Sequence, residues 1–306
     1  PRKPGAFFFA CPALAQPLDH DAPDLTRPIA APASRCHRRT MRRSRVATIG
    51  PPDNPVPPPL DILHADDRCV VVNKPADLLV HRSTIDRHET AFLLQQLRDQ
   101  IGRTIFPVHR LDRPTSGALL VALDLDACRS LSTAFETGAV SKRYAAIVRG
   151  RLPESGHIDH PLRRIDDDPG RTGGTADAAQ DAVTDYRRIA EVELPVCVDR
   201  YPTSRYSLAE LTPITGRRHQ LRRHLKHLSH PIIGDTTYGK SRHNRLFAER
   251  FGSDRLLLAC VQLGFPHPTS GMFTIVGAPL TGTFADVVDG LGWTDAARTA
   301  GIAVAR

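Results

Sequence analysis

The apolar positions of this 306-residue chain fall into short runs and helical stripes that begin only after its first fifth. "DILHADDRCVVVNKP", ending at Pro75, predicts a strand, a turn at Asp66 and Asp67, and a second strand halted by a proline that has no N–H to give. "TAFLLQQLRDQIG" has the spacing of an amphipathic helix, with Thr90 as N-cap and Gly102 beyond its end. "ALLVAL" reads as a buried strand, and Leu125, Cys128, Leu131 and Phe135 stripe a helix that stops at Gly138. "KRYAAIVRG" returns as a strand, and the polar, turn-rich stretch from Arg163 to Asp181 reads as a long exposed loop. Strands follow at "VTDYRRIAEVEL" and "RYSLAELTP", then a helix in "RRHQLRRHLKHL". A short helix near Asn244 to Arg250, strands around Leu256 to Leu263 and Met272 to Val276, and a final helix near Phe284 to Leu291 complete the pattern. Strands and helices alternate irregularly, with hairpin-like spacings, which predicts an α+β fold on a mixed sheet rather than a doubly wound parallel one.

Composition divides the chain. Residues 1–57 are rich in Pro, Ala and Arg without periodicity, so a disordered extension is expected there. Its "RCHRRTMRRSR" cluster, at the first methionine, Met41, is open to reading as a loose RNA-binding arm or as sequence upstream of a translated start. Residues 58–295 are expected to form one folded domain and 296–306 a C-terminal tail. No run is long and apolar enough to span a membrane. Six scattered cysteines without a C-x-x-C pair suggest reduced thiols in a cytoplasmic protein.

Lys and Arg number 41 against 33 Asp and Glu, a balance that favours a polyanionic partner only weakly. The density of charge at "TGRRHQLRRHLKHLSHP" says more. Wound as a helix, it places Leu221, Leu225 and Leu228 on one stripe, Arg218 and Arg222 along its edge, and Arg223, Lys226 and His227 on the far side. The positive helix end near Gly216 and Arg217 favours phosphate. Histidines 219, 224, 227 and 230 share their faces with no carboxylate or cysteine, so no metal is expected. "GDTTYGKS", Gly234 to Ser241, matches a phosphate-loop string but lacks the buried strand such a loop needs before it, so no nucleotide cofactor is expected either.

"HRLDRPTSG", His109 to Gly117, sets Asp112 between Arg110 and Arg113. A neighbouring guanidinium keeps a carboxylate ionised, which suits a nucleophile or a base and not a general acid. No second carboxylate of the glycosidase kind accompanies it, and Ser116 lacks the nucleophile-elbow pattern.

With "HRLDRPTSG", "KRYAAIVRG" and "TGRRHQLRRHLKHLSHPIIGDTTYG" in this order, the chain from about Leu60 to Pro268 resembles the RluA-type pseudouridine synthases. "LVHRSTIDR", "RDQIG" and "RYPTSRYSLAEL" look closest to the TruC branch, which acts on uridine 65 of tRNA. The resemblance implies a long, bent, largely antiparallel sheet with a central catalytic cleft, and a monomeric isomerase that flips its target base and needs neither cofactor nor metal. It implies Asp112 as the catalytic aspartate, Tyr144 against the target base and Arg222 as the ion-pair partner of the aspartate. Leu221 would line the pocket, Arg110 would fill the gap left by the flipped base, and Arg217, Arg218, His219, Arg223 and Lys226 would contact RNA. The remaining alternatives are a synthase acting on ribosomal RNA and a catalytically silent RNA-binding protein.

Overall fold

The computed structural model describes residues 57–80, 92–165 and 178–305. The expected N-terminal extension, the Thr90 cap and the middle of the 163–181 loop lie outside them. Along the chain run β1 (Asp61–Ala65), β2 (Cys69–Lys74), α1 (Leu93–Ile101), β3 (Phe106–Pro107), β4 (Ser116–Ala122) and α2 (Leu125–Glu136). Next come β5 (Ser141–Arg149), β6 (Ser155–Asp159), β7 (Leu162–Arg163), β8 (Ala179–Gln180), β9 (Val183–Leu194) and β10 (Ser204–Pro213). The last third holds α3 (Gln220–His227), α4 (Ser241–Phe251), β11 (Leu258–Pro266), β12 (Phe273–Gly277), α5 (Thr283–Gly290) and α6 (Thr294–Thr299).

Ten strands form one mixed sheet in the order β1-β2-β4-β11-β5-β10-β9-β6, with β3 also on β4 and β12 also on β11, while β7 and β8 pair separately. Every pairing in it is antiparallel except β4 with β11. The unbroken apolar runs of β2 and β4 are buried at every position, as central strands covered on both faces require. Period-two alternation sends Ala145 and Ile147 of β5 into the core beneath α4, α5 and α6, and Ala146 and Val148 into the core shared with Leu221 and Leu225 of α3. Leu93 and Leu97 of α1 and Leu131 of α2 are fully buried on the β2–β4 side, each worth roughly 1.5–3 kcal/mol of burial.

Local signals set these boundaries, Gly102 as expected and Asp124 as a cap the pattern did not single out. Asp124 caps α2 through Oδ1, which accepts the Asp126 and Ala127 N–H groups, and Gly102 ends α1 in the left-handed region at φ 65°.

Three expectations need correction. The basic helix begins at Gln220, not near Arg217, because His219 sits at φ 54°, outside the helical region. The turn before it closes on a side chain: Gln220 Oε1 accepts the Arg217 N–H at 2.9 Å, and Gln220 Nε2 donates to the Val183 carbonyl at 2.9 Å. The stretch read as a tail, 296–306, is packed as far as residue 305. Ala297 and Ile302 are buried in the core, and the Leu280 N–H donates to the Ala303 carbonyl at 2.8 Å. Finally, β6 has no counterpart in the sequence pattern; it is an edge strand with one buried position, Ile158.

Candidate active site

Asp112 lies in the loop that turns into β4. The Thr115 N–H donates to the Asp112 carbonyl at 3.0 Å, which closes the turn. Arg113 Nε donates to the Asp77 carbonyl at 3.2 Å, and Ser116 Oγ accepts Arg255 Nη2 at 2.7 Å. Gly117, at φ 104°, follows; a Cβ there would stand 2.1 Å from the Cys260 carbonyl oxygen, so only glycine permits the parallel approach of β4 to β11. Beneath the loop, the fully buried Lys74 Nζ donates to the carbonyls of Pro75, at 2.8 Å, and Arg113, at 2.9 Å. Burial pushes this lysine down to about 7.

α3, packed on β10, carries Arg222 to the same place. Its Nη1 lies 3.4 Å from Asp112 Oδ2, the long ion pair of the site. Its close partner is Asp235, in the turn after α3: Nε to Oδ2 is 2.8 Å and Nη2 to Oδ1 is 2.9 Å, both side chains buried. Asp235 is itself held by the Thr237 and Tyr238 N–H groups, each at 2.9 Å. Burial would raise its carboxyl, but Arg222 and these amides outweigh it and hold the group below its usual range. The result is a guanidinium anchored rigidly at one edge and presented to Asp112 at the other.

His219 completes the surroundings. Its Nε2 lies 3.8 Å from Asp112 Oδ1, and its Nδ1 is 3.0 Å from the Tyr238 hydroxyl, while the Arg222 guanidinium sits over the Tyr238 ring at 5.1 Å. Tyr144, on β5, is half-buried where the core on the β2–β4 side meets the core shared with α3. Burial, with Cys260 and Asp112 nearby, raises its phenol well above the ordinary value, so the hydroxyl stays protonated at neutral pH.

Asp112, Tyr144, Arg222 and His219 are therefore brought together. Leu221 is buried in the core beneath α3, and Arg110 is exposed on the Asp112 loop. The remaining basic residues divide in two. Arg217 Nε donates to the Asp181 carbonyl at 3.0 Å, Arg218 Nη1 to Ile165 at 3.4 Å and Arg223 Nη1 to Arg163 at 2.9 Å, so all three bind backbone on the two arms of the 163–181 excursion. Lys226 is exposed and sits 5.6 Å over the Tyr238 ring, in a cleft of about 450 Å³ lined also by His160, Arg163, Arg223 and His227. His224 faces inward, with Nδ1 3.0 Å from Thr184 Oγ1 and Nε2 3.1 Å from the His160 carbonyl. The phosphate-loop string has a packing origin: a Cβ on Gly234 would meet the Arg255 carbonyl oxygen at 1.8 Å. Sequence reasoning missed Lys74 and Asp235. A lysine closing the apolar run "CVVVNK" and an acid within "GDTTYG" were the available signals.

Residues 68–227 match the family model described as RNA pseudouridylate synthase, a span holding the Asp112 loop, Tyr144 and α3. The chain belongs to that family. Proteins named tRNA pseudouridine synthase C from Pasteurella multocida and Haemophilus ducreyi are 48% and 49% identical to it, over 76% of this chain and 97% and 96% of theirs. The protein of that name from Vibrio vulnificus is 45% identical over 79% of this chain and 99% of its own. Among solved structures, human RNA Pseudouridylate Synthase Domain Containing 4 superposes with a TM-score of 0.57 at 29% identity, covering 76% of this chain and 93% of that one. Human RNA Pseudouridylate Synthase Domain Containing 1 gives 0.54 at 28%, covering 76% and 94%. This pseudouridine synthase is thus an isomerase on the α+β fold of its family.

Proposed function

We propose that this pseudouridine synthase isomerises uridine in tRNA, at position 65, acting as a cytoplasmic monomer without a cofactor. The observation that carries the reading is a partly exposed carboxylate, Asp112, 3.4 Å from a buried guanidinium that has its own separate anchor. The tRNA substrate follows the names of the relatives that match over nearly their whole length.

The reaction breaks the bond from N1 of uracil to C1′ of ribose, turns the base within the site, and joins C5 to C1′; the C5 hydrogen leaves as a proton and N1 takes up a proton, so the product is an isomer. Atoms and electrons balance without an outside oxidant or reductant. Arg222 aims the Asp112 carboxylate. The carboxylate then serves as nucleophile toward the sugar or the base, or as base toward a sugar proton. The ring of Tyr144 holds the detached uracil by stacking, with its phenol neutral. A paired uridine is out of reach inside a stem, so the enzyme flips it out, and Arg110, exposed on the Asp112 loop, would fill the gap.

Tritium release from tRNA labelled at uracil C5 tests this directly. Wild type should release label and Asp112→Ala none, while the variant binds tRNA within a few-fold of wild type. Release by Asp112→Ala would remove the carboxylate from its central place, and release from ribosomal RNA alone would overturn the tRNA assignment.

A further inference from the structure

Away from the cleft, β1 and the turn into β2 gather three side chains of metal-binding type in the order H-x-D-x-x-C. His64 Nε2 lies 2.8 Å, and Cys69 Sγ 3.5 Å, from one oxygen, Asp66 Oδ2. The ligand atoms of all three lie within 4.8 Å of one another. The other carboxylate oxygen, Oδ1, accepts the Arg68 and Cys69 N–H groups at 2.7 and 2.8 Å, which fixes Asp66 with Oδ2 toward the cluster.

His267, beyond the end of β11, reaches Asp66 Oδ2 at 3.2 Å through Nε2. Its Nδ1 accepts the Thr269 and Ser270 N–H groups at 3.2 and 3.3 Å, so the ring proton sits on Nε2 and His267 is a donor to Asp66. Asp66 Oδ2 therefore gathers His64 Nε2, Cys69 Sγ and His267 Nε2 around one oxygen. A cation relieves that crowding. Around tetrahedral zinc, bond lengths of about 2.0 Å to N and O and about 2.3 Å to S put an oxygen ligand about 3.3 Å from nitrogen and about 3.5 Å from sulfur. The two spacings to Asp66 Oδ2, 2.8 and 3.5 Å, are within half an ångström of those, and His64 and Cys69 offer their ligand atoms within 4.8 Å of each other.

We propose that His64, Asp66 and Cys69 bind one divalent cation of the zinc class, with His267 steadying the carboxylate and the fourth position open to solvent. His64 and Asp66 are 30% and 27% exposed, which gives the ion an approach, while Cys69 forms the buried floor. On binding, the Cys69 S–H bond breaks, the sulfur pair goes to the ion and the proton to solvent; His64 carries its proton on Nδ1 and offers the Nε2 lone pair. Two anionic ligands then neutralise the ion.

The test is a titration of the chelator-stripped full chain with Co²⁺, followed by displacement with Zn²⁺. A thiolate-to-cobalt charge-transfer band should saturate at one ion per chain. It should vanish in Cys69→Ser, and Co²⁺ affinity should fall at least tenfold in His64→Ala and by about 10–100-fold in His267→Ala. Cys197→Ser should leave the band unchanged, since that thiol is exposed and distant in sequence. If Cys69→Ser does not fold, His64→Ala decides, because that position is on the surface. Absence of the band in wild type, or a band of wild-type affinity in the foldable variants, overturns the proposal.

Discussion

Asp235→Ala separates the anchoring of Arg222 from the chemistry at Asp112. Both members of the Arg222–Asp235 pair are buried, with side chains 5% and 1% exposed and two contacts of 2.8 and 2.9 Å. Removing one partner of such a pair strands the other charge and costs about 3–5 kcal/mol. The variant also leaves the Thr237 and Tyr238 N–H groups without their acceptor, which favours the upper end. At about 2–4 °C per kcal/mol for a chain of this size, Tm should fall by roughly 6–20 °C. Asp112→Ala removes only a 3.4 Å contact to a carboxylate that is 22% exposed, so it should cost about 1 kcal/mol or less. Thermal unfolding of the two variants beside wild type, with tritium release measured on each, makes the comparison; both should lose turnover and only Asp235→Ala should lose stability. The folded-state carboxyl of Asp235 lies below its ordinary 3.8, so its contribution is present above that value and is lost as pH falls through the folded value. The gap between wild type and Asp235→Ala should therefore narrow on acidification below about 3.8. A Tm for Asp235→Ala within about 2 °C of wild type, or an equal loss in Asp112→Ala, would refute the anchoring argument.

Lys74, pushed down to about 7 in the fold from an ordinary 10.5, binds a proton less readily than the unfolded chain does between those values. Wild-type stability should thus gain up to roughly 1.4 kcal/mol per pH unit across that window relative to Lys74→Met. Urea unfolding at a series of pH values reads the difference, and parallel curves would count against a buried, deprotonating lysine. Among the basic residues of α3, Lys226→Ala should flatten the salt dependence of tRNA affinity by about one unit of slope. Arg223→Ala should flatten it less, because that guanidinium already holds the Arg163 carbonyl. Filter binding across salt concentrations orders the two, and a larger effect at Arg223 would reverse the assignment.

Elements whose pattern is local were legible in the chain. "VTDYRRIAEVEL" marks β9 from end to end, the stripe from Leu125 to Phe135 and the stop at Gly138 mark α2, and "HRLDRPTSG" singled out the carboxylate loop by its own charges and turn residues. Period and capping are properties of neighbouring residues, so they survive reading along a line. What only the tertiary structure decided involves partners far apart in sequence. Arg222 meets Asp112 across 110 residues, and its closer tie to Asp235 depends on how the turn after α3 folds back beneath it. The start of α3 shifted to Gln220 because that side chain binds Val183 on β9, 37 residues earlier, and the packed ending from Ala297 to Val304 is set by Leu280 and the core beneath α4, α5 and α6. Lys74 read as the end of a strand; its burial under the Arg113 carbonyl exists only once β2 and β4 pair. Helix period and strand alternation name the face a residue belongs to. Which two faces meet, and hence which charges are desolvated together, follows from closing the whole sheet.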